Sequence, residues 1–132
     1  MSRLDDSKTI IARIIANLED NGVIATALHV SDFYSDYTSE DALLFSSAIS
    51  WLAAENVIRF RGEPIPDDAD DTNHYSAVLT SFGFLALERE LSSALTLRDQ
   101  LKEARAGARN WASVGDLVGG ILGGFSKTIS NG

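Results

Sequence analysis

The chain has 132 residues, of which 45% are hydrophobic, and a formal net charge of -8. That length suits one domain with an appended element, and the composition suits a packed core. Cysteine is absent, which excludes disulfides, thiolate nucleophiles and cysteine-based zinc sites together. The acidity works against binding to phosphate backbones and anionic lipid.

The charge is unevenly spread. Residues 1–90 hold 16 acidic and 6 basic side chains, whereas residues 91–132 hold 3 acidic and 5 basic ones. An acidic body with a mildly basic C-terminal part is therefore expected. The first residues turn acidic at once and lack the basic start and apolar run of a signal peptide. No run of about 18 uncharged apolar residues is present, so a cytoplasmic protein without a spanning helix is expected.

In chain order, Ile10, Ile11, Ile14, Ile15 and Leu18 recur at helical spacing and predict a helix over residues 7–20. Asn21-Gly22 stops it, because both residues tolerate left-handed backbone. A shorter helical segment is expected over residues 23–30. Residues 31–38 read as a loop whose Phe33, Tyr34 and Tyr37 plug the edge of the core.

Thr38-Ser39-Glu40-Asp41 is a helix-start signal with acids in the first turn. The helix it opens is expected to run to about Glu55, with Leu44, Phe45, Ala48, Ile49 and Leu52 buried and Asn56 ending it. Residues 57–61 and 75–80 read as strands, the second from the alternation of Tyr75, Ala77 and Leu79 with Ser76 and Val78. They flank a long loop that holds two prolines and the acids Glu63, Asp67, Asp68, Asp70 and Asp71. Thr80 or Ser81 caps the next helix, which carries Phe82, Leu85, Leu87 and Leu91. A last helical region is expected from about Leu95.

The stretch from Ala48-Ile49-Ser50-Trp51-Leu52 through Glu55-Asn56-Val57-Ile58 into a hairpin, returning as Leu79-Thr80-Ser81-Phe82-Gly83, resembles the winged-helix superfamily over about residues 7–91. The resemblance implies a mainly α fold with a small β-hairpin (α+β). A winged-helix domain would occupy residues 1–93 and a glycine-rich C-terminal helix residues 94–132. In DNA-binding members, the third helix carries cations and amides into the major groove. Here the matching helix holds Glu40, Asp41 and Glu55 and no Lys or Arg, and the loop between the strands is acidic too. Phosphate neutralisation needs several cations, so nucleic acid is disfavoured. A protein partner, basic in character, would meet Glu40, Asp41, Asp67, Asp68, Asp70 and Asp71.

The acidic loop lacks the alternation and glycine of a calcium-binding loop, and a solvated loop is the simpler reading. His29 and His74 are far apart in sequence, and no nucleophile, acid–base pair or phosphate loop accompanies them. No enzyme, cofactor or metal is expected. In the C-terminal part, Arg98, Lys102, Arg105 and Arg109 follow steps of four, three and four and form one basic stripe. Such a stripe repels itself, and the expectations are an anionic counterpart in the same chain, a neighbouring subunit or a lipid surface, or else a solvated helix face.

Beyond it, Gly115, Gly119 and Gly123 lie four apart, beside a bulky face of Trp111, Val114, Val118, Ile121, Leu122 and Phe125. Interior glycines weaken a helix by about 1 kcal/mol each, and close packing of backbones compensates. Self-association or tethering through this helix, with a homo-oligomer as its outcome, is the expectation taken forward; packing against the body of the same chain and a frayed tail are its alternatives. Two other function classes stay open: a DNA-binding transcriptional regulator, and a membrane-interface protein acting through residues 111–129.

Overall fold

A computed structural model describes residues 3–61, 74–89 and 95–122. It is an α+β fold of five helices with a small antiparallel sheet. Helix α1 spans Arg3–Asn21, strand β1 Thr26–His29, helix α2 Ser39–Ala54, strand β2 Ile58–Arg61 and strand β3 His74–Leu79. Helices α3 (Ser81–Leu87), α4 (Leu97–Arg105) and α5 (Trp111–Leu122) follow.

Helix α1 is the central element. Ile10, Ile11, Ile14, Ile15 and Leu18 are all buried, as their spacing predicts. It begins four residues earlier than expected and stops at Asn21, where Gly22 takes φ +57°. Beyond Gly22 the chain corrects one expectation. Residues 26–29 form a strand, and the 3-10 turn Val30–Asp32 follows, in place of a helix over 23–30. The reason is a distant partner: β1 pairs antiparallel with β3, Thr26 opposite Ala77 and Leu28 opposite Tyr75. Those ladder bonds satisfy a backbone that Leu28 and Val30 anchor in the core.

The sheet order is β1-β3-β2, with β3 central. Tyr75, Ala77 and Leu79 face the core from β3, and Ile58 joins them from β2. Phe45 of α2 packs on Phe33 with ring centroids 5.6 Å apart and on Tyr75 at 5.7 Å. The loop aromatic Phe33 thus seals the core edge, while Tyr34 and Tyr37 are half-buried beside it.

Helix α2 opens with a reciprocal cap. Asp41 N–H donates to Thr38 Oγ1 (3.1 Å), and Thr38 N–H donates to the Asp41 carboxylate (3.0 Å). It ends where Asn56 adopts φ +65°, and Val57 then turns into β2. Thr80 ties this corner to the next helix: its hydroxyl donates to Asn56 O (2.5 Å) and accepts from Gly83 N–H (3.0 Å).

The C-terminal part forms two helices where one was expected. A second reciprocal cap, between Thr96 and Asp99, starts α4. Gly107 at φ +82° stops it, because left-handed backbone suits glycine and cannot continue a helix. The Asn110 side chain then accepts from Ala112 N–H (2.7 Å) and starts α5. The basic residues therefore ride on α4 and its trailing turn, and the glycines on α5. Helix α5 packs chiefly on α1 and secondarily on α4.

Candidate interaction surface

Three of the four residues of the basic stripe find counterparts inside the chain. Glu19, near the C-terminal end of α1, bridges Arg98 (3.5 Å) and Arg105 (3.0 Å). Arg105 also reaches Asp20 (3.3 Å) and donates to the Ala16 carbonyl. Arg98 holds Glu88 at 2.6 Å. Arg109 lies past the end of α4 and turns back to Glu103 (3.0 Å). Lys102 is exposed on α4. Cations at the C-terminal end of α1 also meet the negative end of its dipole.

The glycine face is likewise used within the chain. Val114, Gly115, Val118 and Gly119 are buried, and a Cβ on Gly115 would stand 2.0 Å from the Lys8 carbonyl oxygen of α1. Close approach of backbones, which the glycine spacing predicts, thus occurs between α5 and α1. A second subunit could take this face only by displacing α5. Trp111, Ile121 and Leu122 are partly buried against the same core, and Gly120 faces open space. Gly123 and Phe125 lie outside the described residues.

Of the acidic residues expected to meet a partner, Glu40 and Asp41 sit at the first turn of α2. Glu40 is exposed and pairs with Arg3 of α1 at 2.5 Å, while Asp41 caps the helix. Asp67, Asp68, Asp70 and Asp71 lie outside the described residues. His29 has a structural role, in which its Nδ1 accepts from Ser31 N–H (3.2 Å) and its ring meets Tyr37 edge-on.

Sequence reasoning did not anticipate the cleft that α1 and α2 form at their N-terminal ends. A hollow of about 480 Å³ has Asp6, Glu40, Asp41 and Leu43 among its walls. It shares Ser7, Leu44 and Ser47 with an adjoining, mainly apolar hollow of about 250 Å³, which Leu4, Ile11 and Trp51 help to line. Leu4 and Leu43 are 45% and 61% exposed, a large apolar exposure for neighbours of one cleft. The signal was present in the sequence as Leu43, which falls outside the buried stripe of α2, and as Leu4, which precedes the apolar stripe of α1.

The electrostatic environment at the mouth is anionic. Burial, and after it the Asp41 carboxylate, raise the Tyr34 phenol above its ordinary 10.0, with Asp6 adding in the same direction and Arg13 opposing. Among the described residues, no group of three or more His, Asp or Glu side chains is placed to hold a metal ion. No described helix is long and apolar enough to cross a membrane. No family model, curated protein or solved structure matches the chain.

Proposed function

We propose that this chain is a non-enzymatic protein-interaction module built on a winged-helix arrangement, acting in the cytoplasm. The element order α1-β1-α2-β2-β3 and the sheet order β1-β3-β2 support the winged-helix reading, with α2 in the place of the recognition helix. One observation carries the functional half: α2 presents Glu40, Leu43, Ser47 and Ser50 to solvent and has no Lys or Arg along its length.

A helix of that character suits a protein surface better than a phosphate backbone, which calls for several cations at the contact. Three arginines of the C-terminal part do little to offset this. Arg98, Arg105 and Arg109 already face Glu19, Asp20, Glu88 and Glu103. Helices α4 and α5 serve in this reading to complete the core around α1. The cysteine-free composition suits a reducing compartment.

The rival reading, a DNA-binding regulator, is separated by a mobility-shift assay at low salt with mixed-sequence duplex. The interaction-module reading expects no complex below about 100 µM protein, weaker than ordinary non-specific binding. A complex at about 1 µM or tighter overturns it.

A further inference from the structure

We infer that the cleft between α1 and α2 docks a short amphipathic helix of a partner protein, with lysine or arginine at the end facing Asp6 and Glu40. This deepens the interaction-module reading and rests on it.

Three observations lead to that occupant. The inner hollow is apolar, through Ile11, Leu44, Ala48 and Trp51 with the exposed Leu4, and the exposed Leu43 lines the adjoining hollow at the mouth. That mouth carries Asp6, Glu40 and Asp41, and the charged lining of the two hollows includes one cation, Arg3. Arg3 meets Glu40 in a pair whose side chains are 73% and 70% exposed. An exposed pair of this kind contributes little, so an incoming cation can take Glu40 at small cost.

Dimensions agree with a helical occupant. From Glu40 to Trp51 the α2 wall rises about 16 Å, roughly three helical turns. An amphipathic helix of that length lays its apolar side chains, three and four residues apart, along such a groove. The alternation of apolar floor and acidic mouth then fixes its direction, because the cation must lie at the Glu40 end.

The test uses the full chain, uniformly labelled with nitrogen-15, titrated with a three-turn leucine–lysine peptide and with its leucine–glutamate counterpart. Saturable shifts are expected at Ser7, Leu44, Ser47 and the Trp51 indole, with a Kd of roughly 10–100 µM. The glutamate peptide should bind at least about tenfold more weakly. Ser47→Arg places a bulky cation in the cleft from an exposed position and should weaken the lysine peptide about tenfold or more. Glu40→Lys, at a solvent-exposed site, gives an independent reading of the same charge effect.

Equal binding of both peptides, or unchanged binding by both variants, overturns the inference. So does concentration-dependent broadening at these residues without peptide, which would make a second copy of the chain the occupant. Saturable shifts confined to another surface overturn the cleft and leave the interaction-module reading standing. Absence of any saturable shift overturns the cleft, and a DNA complex in the mobility assay overturns the broader reading with it.

Discussion

Gly115 lies against the Lys8 carbonyl so closely that a β-carbon would stand 2.0 Å from that oxygen. The obstacle is backbone, which cannot swing aside as a flexible side chain can. Gly115→Ala gains about 1 kcal/mol of helix propensity and loses more through the clash, for a net destabilisation of about 1–3 kcal/mol. Gly120, five residues on and exposed, would have nothing within 4 Å of an added β-carbon. Gly120→Ala should stabilise by up to about 1 kcal/mol. Urea unfolding of the two variants gives opposite signs if α5 packs on α1 as described. A sedimentation change in Gly115→Ala without a stability loss would instead assign the glycine face to a second subunit.

Glu19 holds the start of α4 and its end to the same turn of α1, through Arg98 and Arg105. Its side chain is 18% exposed, so it is screened less than a surface acid. Glu19→Gln should cost roughly 1–2 kcal/mol, between the value of an exposed pair and that of a buried one. Chemical denaturation with urea, in low salt and in about 1 M salt, checks this. The difference from the parent should shrink with salt, and a salt-independent difference would point to packing instead of charge.

Thr80 uses its hydroxyl as donor to the end of the α2 turn and as acceptor at the start of α3. Thr80→Val keeps the shape and removes both bonds, leaving the buried Gly83 N–H without its acceptor. The expected loss is about 2–3 kcal/mol. Thr80→Ser keeps the hydroxyl and should lose about 1 kcal/mol or less, from the missing methyl. Equal losses in the two variants would show that the methyl matters and the hydroxyl does not.

Asp99 caps α4, and hydrogen bonding to the Thr96 backbone, then to its hydroxyl, holds its carboxyl below the ordinary 3.8. A group with a depressed folded value stabilises the fold fully above its unfolded value. That contribution fades as pH falls through the folded value. The acid end of the stability curve, below 3.8, should therefore steepen through Asp99. Asp99→Asn should flatten that limb. Carboxyl carbon-13 titration gives the direction directly, and a midpoint at or above 3.8 would refute the cap's role.

Much of this fold was legible from local rules. The isoleucine stripe of α1, the Thr38 cap and the β3 alternation all name their own structure, because each signal lies within a few residues of what it specifies. Strand β1 did not, since residues 26–29 become a strand only by meeting β3 some fifty positions later. The break at Gly107 was equally local but hidden inside an arginine spacing that runs on across it. The cleft was the least legible feature. It belongs to neither helix alone, since residues of both α1 and α2 line it, and Leu4 and Leu43 are left exposed only by how the two helices come together. For the acids at 67, 68, 70 and 71, the expectation of a partner surface falls outside the described residues.

The seam between Lys8 and Gly115 also bears on how the chain folds. The backbone that closes over the Lys8 turn of α1 comes from more than a hundred positions further along the chain. Contacts of such long sequence separation form slowly, so the apolar flank of α1 stays uncovered until α5 arrives, and docking of α5 should be a late step in folding.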